Sequence, residues 1–337
     1  MNMSLAINGF GRIGRSLFRA IWERGLQRQL QINAINELAD LPTIAYLTEF
    51  DSTHGRFSEA IAASEGKLAV GSHAIPVTHW ADIGAVTWRD IDVVVECSGS
   101  FDDRATAARH IEAGAKGVLF SQPAQADVDA TLVYGVNHHS LSQNHTIVSA
   151  ASCTTNAVVP VIAALDEALG IEAGVITTIH SAMNDQPVLD SYHNTDLRKT
   201  RAAFNSIIPV ETGLARGIGR VLPHLADRFE AQAMRVPTLN VSAIDLSITV
   251  RNTTDRDAVN RILQQAAASK FSGVLGYTTQ PLASCDFNHN PLSGTVDASQ
   301  TRVSGGKLVK VLIWFDNEWG YANRLIDLLL YWQQQDS

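Results

Sequence analysis

Cysteine is scarce in this chain, and the few cysteines present form no framework. Cys97, Cys153 and Cys285 are spread over 337 residues, which excludes a disulfide-stapled scaffold and provides no zinc-site spacing. Such usage is typical of a reducing compartment. We therefore expect a cytoplasmic protein without a bound metal.

Long apolar runs and net positive charge are also missing. No stretch reaches the roughly 18 apolar residues of a transmembrane helix, and the N-terminus lacks the basic-then-apolar pattern of a signal peptide. The formal net charge of -8 provides no overall attraction for nucleic acid or for an anionic membrane. We expect neither as a partner, so any anionic ligand has to be held by a local basic cluster.

What the sequence does contain is the composition of a globular enzyme. Hydrophobic residues make up 45% of the chain and charged residues 18%, which argues against disorder. The length of 337 residues is about twice that of a usual single domain. Two domains are therefore expected.

A glycine-rich turn follows the first predicted strand. Ser4–Asn8 leads directly into Gly9, Gly11 and Gly14, which fit G-x-G-x-x-G, and the residues after them have helical spacing. In this context the first glycine permits the turn, the second lets a pyrophosphate approach, and the third lets helix and strand pack closely. The pattern predicts a dinucleotide-binding unit.

An acidic residue after the second predicted strand supports this interpretation. Glu37 follows Gln31–Ile35 and lies 23 residues after Gly14, close to the spacing of a carboxylate that binds an adenosine ribose. A carboxylate there favours NAD over NADP, because it would repel a 2′-phosphate. The alternative is a solvated loop acid without a ligand.

Two further apolar runs continue the alternation of strands and helices. Asp92–Glu96 and Lys116–Phe120 are typical of parallel strands buried on both faces. The strand ends of such a sheet form the cofactor crevice, so we expect Ser98, Gly99 and Ser121 to line it.

The stretch Ser149–Asn156 contains the candidate nucleophile. Cys153 lies between a predicted strand and a run with helical spacing, so backbone N–H groups and the helix dipole would favour its thiolate. A thiolate can attack a carbonyl and form a thioacyl intermediate. The alternative is a buried structural cysteine. The hydroxylic neighbours Ser152 and Thr154 are typical of a polar pocket, so we expect a catalytic role.

A candidate base closes one strand of the second half. Long alternating stretches after Cys153 predict a mixed or antiparallel sheet packed on helices, and His180 ends the stretch Gly174–His180. A thiol and an imidazole together form an activated nucleophile, and the imidazole can then act as acid or base. A lone histidine is more often structural, so the interpretation depends on the proximity of Cys153.

Basic side chains occur at two places in this half. Asp196–Arg201 contains Arg198 and Lys199, and Arg235 interrupts an apolar strand. A solvated face explains part of the first cluster. A buried strand arginine needs an anionic partner, however, and a substrate phosphate ester would bind its guanidinium bidentately.

Two polar segments complete the candidate ligands. Thr212 and Gly213, in a predicted turn, provide a hydroxyl and a backbone N–H. Asn317, in Asp316–Tyr321, has the donors and the acceptor needed to fix a nicotinamide carboxamide. The alternative for Asn317 is a plain helix N-cap.

Five segments together resemble the phosphorylating glyceraldehyde-3-phosphate dehydrogenase family. They are Asn8–Arg15, Asp51–Phe57, Ala151–Asn156, Arg235–Thr238 and Asp316–Tyr321, and the similarity extends over essentially the whole chain. The resemblance implies an α/β fold. A doubly wound, mostly parallel Rossmann NAD-binding domain would cover residues 1–152 and be completed by a C-terminal helix over 317–337, and an α+β catalytic domain would cover 153–316. A homotetramer that acts on a small sugar-phosphate aldehyde is also implied.

The resemblance further implies roles for single positions. Cys153 would be the nucleophile, and His180 would activate its thiol. Contacts with NAD are expected from Gly9, Gly11, Arg12, Ile13, Gly14, Glu37, Ser98, Gly99, Ser121, Asn317 and Tyr321. Contacts with substrate are expected from Ser152, Thr154, Arg198, Lys199, Thr212, Gly213 and Arg235.

Some segments, such as Asn36–Asp40 and Thr177–Gln186, look closer to the D-erythrose-4-phosphate dehydrogenase branch. Met183 stands where the three-carbon enzymes usually have a threonine whose hydroxyl helps to hold the substrate phosphate. Lys199 replaces a usual arginine, and Glu37 a usual aspartate. Because Met183 cannot donate a hydrogen bond, we expect a remodelled phosphate site that accepts an aldehyde one carbon longer.

The implied activity is NAD-dependent oxidation of D-erythrose 4-phosphate to 4-phosphoerythronate, in pyridoxal 5′-phosphate biosynthesis. A Cys153 thioester would be hydrolysed by water, whereas inorganic phosphate attacks it in the glycolytic relatives. The alternatives are a phosphorylating glyceraldehyde-3-phosphate dehydrogenase and, from another class, a cofactor-binding regulator or RNA-binding protein that has lost catalysis. The presence of both Cys153 and His180, with the acidic net charge, argues against the last.

Overall fold

The computed structural model describes residues 2–192 and 196–335. Residues 1, 193–195 and 336–337 fall inside the predicted domain ranges and lie outside the described residues. The chain divides into two compact units, one of Met1–Ser152 with Ala322–Ser337 and one of Cys153–Tyr321. Within the described residues, no helix is both long enough and apolar enough to cross a bilayer.

The first unit is built on a nine-stranded sheet. Its strands are β1 (Met3–Asn8), β2 (Leu30–Asn36), β5 (Ile61–Ser64), β6 (Lys67–Val70), β7 (His73–Thr78), β8 (Val93–Glu96), β9 (Gly117–Phe120), β10 (Ala130–Thr131) and β11 (Ile147–Ser149), with a separate small hairpin of β3 (Phe50–Asp51) and β4 (Gly55–Arg56). The helices in order are α1 (Arg12–Glu23), α2 (Leu41–Glu49) and α3 (Arg104–Glu112). The strand order is β10-β11-β9-β8-β1-β2-β7-β6-β5, and neighbours from β10 to β7 are parallel.

The centre of this sheet brings three strand ends together. The last residue of β1, Asn8, pairs with Asn36 at the end of β2 and with Glu96 at the end of β8. Because β2 and β8 lie on opposite sides of β1, the strand order reverses here, and ligands of open α/β sheets bind at such a point. All four residues of β8 are buried, as expected for a strand covered on both faces.

The second unit is built on a seven-stranded mixed sheet. Its elements are α4 (Cys153–Leu169), β12 (Ile171–His180), β13 (Ile208–Val210), α5 (Leu214–Val221), β14 (Phe229–Arg235), β15 (Ser242–Val250), α6 (Arg256–Ala268), β16 (Leu275–Thr278), β17 (Gly294–Ser304), β18 (Leu308–Phe315) and the start of α7 (Trp319–Gln335). The strand order is β13-β14-β12-β15-β18-β17-β16. Only the pairs β12–β14 and β16–β17 are parallel among the described strands of this sheet.

One face of the second sheet packs against helices. Along β12, Ile176 and Thr178 are buried, whereas Val175 and Ile179 are exposed on the opposite face. Helices α4, α5 and α6 contact the sheet, and most of α4 is buried. The predicted fold class, a mostly parallel Rossmann-type sheet plus a second mixed sheet, is confirmed.

Candidate active site

The chain makes a constrained turn just before the candidate nucleophile. Ala151 has a φ of +57°, in the left-handed region that residues other than glycine rarely adopt, and its N–H donates to Ser149 Oγ at 3.0 Å. After this turn, Cys153 is the first residue of α4. The predicted position of the sulfur at a helix N-terminus is therefore observed.

A histidine lies beside this sulfur. His180, the last residue of β12, has its Nε2 4.0 Å from Cys153 Sγ. Its Nδ1 lies 2.8 Å from the carbonyl oxygen of Ser181, and because a carbonyl only accepts, Nδ1 carries the proton. The neutral ring therefore presents the Nε2 lone pair to the thiol, as a general base requires. The two residues expected to act together are brought together.

The pKa of the Cys153 thiol is shifted in the opposite direction to the one expected from the sequence. Burial raises the pKa of the Cys153 thiol to about 11, outweighing the hydrogen bonds from Thr154 and the backbone that favour thiolate. Burial also lowers the pKa of His180, and the charge of Arg235 acts in the same direction. The resting pair is thus a thiol and a neutral imidazole. The helix N-terminus alone therefore does not lower the thiol pKa, and a nucleophilic role for the sulfur, which stays a prediction, would require proton transfer to His180.

The predicted phosphate-binding arginine already has an anionic partner in the chain. Arg235 is 7% exposed, and its Nη1 and Nη2 lie 2.7 and 3.1 Å from the two carboxylate oxygens of Asp185. Nη1 also donates to Gln186 Oε1 at 3.0 Å, and Lys199 Nζ lies 3.1 Å from Asp185 Oδ2. Met183 Sδ is 3.7 Å from Arg235 Nη2. These five residues form what we call the Arg235 cluster.

The charges of the Arg235 cluster do not cancel. Burial acts to raise the pKa of Asp185, but hydrogen bonds from Arg235 and Lys199 hold it below its ordinary value. One carboxylate therefore faces two cations, and one positive charge remains for an anionic ligand. Asp185 lies 50 residues before Arg235 and was not predicted, because the sequence pointed only to substrate as the anionic partner.

The remaining predicted substrate ligands lie at three places. Ser152 and Thr154 flank the nucleophile in sequence, and Thr154 Oγ1 is 3.9 Å from its sulfur. Thr212 and Gly213 precede α5, where Thr212 Oγ1 accepts the N–H of Leu214 at 3.2 Å. Arg198 is exposed on a short turn, and its side chain makes no hydrogen bond or ion pair with the described residues of the Arg235 cluster. Substrate contact by each of these residues stays a prediction.

Two buried hydroxyls fix the amide of Asn317. Ser181 Oγ and Ser242 Oγ donate to its Oδ1 at 3.0 and 2.9 Å, which leaves the amide NH₂ to donate elsewhere. The helix-capping role lies instead with Asp316, whose Oδ1 accepts the N–H of Trp319 at 2.7 Å. Neither serine was predicted as a contact of Asn317, since Ser242 belongs to no motif and Ser181 lies in Thr177–Gln186 without an assigned role. Asn317 and the buried Tyr321 as NAD ligands stay predictions.

A separate pocket of about 200 Å³ lies at the strand ends of the first unit. It is lined by Asn8, Gly9, Gly11, Asn36, Glu37, Leu38, Trp80, Ala81, Cys97, Ser98, Ser100 and Phe101. A larger cavity of about 480 Å³ is lined by residues that include Met3, Val93 and Gly117, at the amino ends of β1, β8 and β9. Ligands of such sheets bind at the carboxyl ends, so we assign the dinucleotide to the smaller pocket.

The glycine turn has the shape that a pyrophosphate needs. A Cβ added to Gly9 would lie 2.4 Å from Ser98 Cα, and one added to Gly14 would lie 2.4 Å from Gly9 O. A Cβ on Gly11, in contrast, would meet no atom within 4 Å, and this residue precedes α1 without a side-chain cap. The turn therefore packs tightly on its inner side and is open where the phosphates would approach the helix.

Glu37 is joined to that turn. Its Oε2 accepts the N–H of Phe10 at 2.6 Å, and its Oε1 accepts the N–H groups of Leu38 and Ala39 at 2.7 and 3.2 Å. Three bonds leave acceptor capacity for a ribose hydroxyl on the carboxylate. A purely solvated acid does not describe these contacts. The remaining acceptor capacity of Glu37 and the open space at Gly11 thus fit a dinucleotide.

Some other predicted NAD ligands interact with side chains of the first unit itself. Arg12, the first residue of α1, pairs with Asp51, and its Nη2 donates to Asp51 Oδ1 at 3.2 Å. Ile13 follows it in the helix. Ser98 lines the pocket, whereas Gly99 and Ser121 do not, and Ser121 instead hydrogen-bonds the buried thiol of Cys97. Burial raises the pKa of that thiol to about 12.

The first unit has a Rossmann-type sheet with a pocket that fits a dinucleotide, and the second unit brings a cysteine beside a neutral histidine. These features together are those of a dinucleotide-dependent oxidoreductase. The comparison with protein families gives the same class. Residues 3–104 match the model described as glyceraldehyde 3-phosphate dehydrogenase, NAD binding domain, and residues 152–317 match that of the C-terminal domain. The chain belongs to the glyceraldehyde-3-phosphate dehydrogenase family, and its cofactor is NAD. Both expectations from the sequence are confirmed.

Proposed function

We propose that this chain is a D-erythrose-4-phosphate dehydrogenase, which oxidises its aldehyde substrate to 4-phosphoerythronate. The observation that carries the proposal is the position of Met183, whose Sδ lies 3.7 Å from Arg235 Nη2. A thioether cannot donate to a phosphate oxygen, whereas the threonine usual at this position in the three-carbon enzymes can. The phosphate would therefore be held by the single remaining positive charge of the Arg235 cluster, with one donor fewer.

The proposed reaction begins with proton transfer within the cysteine–histidine pair. Nε2 of His180 takes the thiol proton as Cys153 Sγ adds to the carbonyl carbon, and it returns that proton to the carbonyl oxygen to give a thiohemiacetal. The Cys153 N–H and His180 stabilise the oxyanion that develops. NAD, when bound, would supply the acceptor for the hydride that leaves carbon. His180 takes the hydroxyl proton in that step, and a thioester remains.

The thioester is then hydrolysed in the proposed pathway. After His180 loses its proton to solvent, its Nε2 can accept a proton from water as the oxygen attacks the acyl carbon. Collapse of the tetrahedral intermediate breaks the carbon–sulfur bond, and the thiolate recovers a proton from His180. The acid 4-phosphoerythronate leaves, for use in pyridoxal 5′-phosphate biosynthesis.

The test is a comparison of two aldehydes with one variant. We expect kcat/KM to be higher for D-erythrose 4-phosphate than for D-glyceraldehyde 3-phosphate, with no stimulation by inorganic phosphate. Met183→Thr restores a donor, so the ratio should shift towards the three-carbon substrate by about 3- to 10-fold. Met183→Leu removes the sulfur without adding a donor and is the control. A wild-type preference for glyceraldehyde 3-phosphate would contradict the proposal.

A phosphorylating glyceraldehyde-3-phosphate dehydrogenase is the second candidate, because both family descriptions name glyceraldehyde 3-phosphate dehydrogenase. In that reaction inorganic phosphate, rather than water, attacks the thioester. The two candidates differ in a direct measurement. A rate that requires phosphate, with an acyl phosphate as product, would support the second candidate, whereas free acid formed without phosphate supports the first.

The proposal includes a homotetramer in the cytoplasm, with the first unit as NAD-binding domain and the second as catalytic domain. Support for assembly comes from exposed apolar side chains on the segment between β12 and β13, including Val188, Leu189, Tyr192 and Leu197. Apolar residues grouped in this way are typical of surfaces that contact another subunit. Light scattering coupled to gel filtration should give four times the chain mass of 36.5 kDa, and a monomer would contradict the proposal.

A further inference from the structure

Trp80 stands apart from the other tryptophans of the first unit because its ring is open to solvent. Its exposed fraction is 52%, whereas Trp22, Trp88 and Trp332 are at most 9% exposed. Trp80 also lines the dinucleotide pocket. A large aromatic side chain left half exposed at the wall of a polar pocket has apolar surface that a ligand can cover.

The backbone of Trp80 is held from both sides by one buried amide. Asn36 Oδ1 accepts the Trp80 N–H at 2.9 Å, and Asn36 Nδ2 donates to the Trp80 carbonyl at 2.9 Å. Asn36 is itself fixed, since its Nδ2 donates to Asn8 Oδ1 at 2.8 Å and its Oδ1 accepts from Thr78 Oγ1 at 2.8 Å. The tryptophan therefore extends from a rigid anchor at the carboxyl ends of β2 and β7.

The residues that line the pocket are arranged in an order that suits the successive parts of a dinucleotide. The glycine turn would receive the pyrophosphate and Glu37 the adenosine ribose, so the base belongs beside Leu38, Trp80, Ala81 and Phe101. Of the two aromatic side chains there, Phe101 packs against a hydrophobic core cluster that contains Val118 and Phe120. Trp80 is 52% exposed, so its ring face is available for stacking.

We infer that the indole of Trp80 is the stacking wall for the adenine base and determines the affinity of the adenosine half of NAD. Stacking acts through the π-face of the base, so its loss should affect adenine-containing fragments and spare others. Truncation of a stacked aromatic side chain weakens binding by about 5- to 150-fold. The inference depends on NAD as cofactor and is independent of which aldehyde is oxidised.

The experiment measures the binding of fragments to the full-length protein by titration calorimetry. Trp80→Ala should weaken NAD and AMP by the same factor, at least about 5-fold, and leave nicotinamide mononucleotide unchanged. Trp80→Phe keeps an aromatic face and should recover most of the affinity. AMP should also quench the tryptophan fluorescence of the wild type more than that of Trp80→Phe, because the variant lacks the emission of Trp80.

The control is an exposed aromatic residue outside the pocket. Tyr46 on α2 is 63% exposed and does not line the pocket, so Tyr46→Ala should bind AMP as the wild type does. Unchanged AMP affinity in Trp80→Ala would overturn the inference, and so would an equal loss for AMP and nicotinamide mononucleotide. A failed aldehyde comparison, in contrast, would contradict the proposed substrate and leave this inference intact.

Discussion

The dinucleotide pocket and the cysteine site differ in how their polar atoms are held. At the pocket, Glu96 accepts from Asn8 Nδ2 at 2.6 Å, from the Ser98 N–H at 2.8 Å and from His110 Nε2 at 2.9 Å. At the cysteine site, the sulfur lies 3.9 Å from Thr154 Oγ1 and 4.0 Å from His180 Nε2. The binding region is thus saturated with short hydrogen bonds, whereas the reactive atoms keep long contacts that can exchange a proton.

The buried network below the pocket has one defined hydrogen-bonding arrangement. Trp88 Nε1 donates to His110 Nδ1 at 2.9 Å, so the His110 proton lies on Nε2 and is donated to Glu96. Both side chains of this pair are 1% exposed. A carboxylate buried with three donors orients Asn8 and Ser98, which line the pocket. Preorganised binding and adaptable chemistry are therefore built from different kinds of contact.

The largest expected effect comes from replacing the base at the cysteine site. His180→Asn should lower kcat/KM by about 10²- to 10⁴-fold, because no group then accepts the thiol proton. In the wild type, burial lowers the pKa of His180 below its ordinary value of 6.5, so the ring stays neutral in weak acid. The value of kcat/KM should therefore fall only when the pH drops below 6.5. The measurement is the profile of kcat/KM against pH, in which the variant should lack this acidic limb.

Cys153→Ser is the control for that profile. It should be inactive at every pH because the nucleophile is gone, while NAD affinity stays close to wild type. An acidic limb that persists unchanged in His180→Asn would show that another group titrates.

A smaller effect is expected from loosening the pocket network. Glu96→Gln turns one acceptor oxygen into a donor, so at least one of its three buried hydrogen bonds is lost and the free energy of unfolding should fall by about 1–3 kcal/mol. Urea unfolding measures the change, and NAD affinity should decrease with it. Glu112→Gln, at an exposed position on α3, should stay within about 0.5 kcal/mol of wild type. Equal stability of both variants would contradict the preorganised network.

Local chemistry explains what the sequence predicted well. The turn at Gly9 and Gly14 admits no Cβ, and this restriction is encoded by a few adjacent residues that a pattern can detect. The strand ends that carry Glu37, Ser98 and His180 follow from apolar runs of ordinary length. The resemblance to the family then identified the cysteine–histidine pair, which no periodicity could have joined across 27 residues.

Partners chosen by the tertiary fold were not predicted. Asp185 reaches Arg235 across 50 residues, and Ser242 reaches Asn317 across 75. The direction in which the pKa of the Cys153 thiol is shifted depends on burial, which a helix-dipole argument does not include. Strand β17 was also missed, because its residues are largely polar. Its buried Asp297 accepts from Ser299 Oγ at 2.6 Å and from Trp314 Nε1 at 3.2 Å, and the second contact exists only in the folded sheet.

The last helix has a consequence for how this protein is synthesised. Residues 322–335 belong to the first unit, where Asp327 pairs with Arg24 at 3.0 Å and Gln333 accepts from Gln29 at 3.0 Å. The half of the molecule that leaves the ribosome first is therefore the half that is completed last. Until the final turns of α7 emerge, the nascent Rossmann sheet lacks the side chain of Trp332 that covers Gly117.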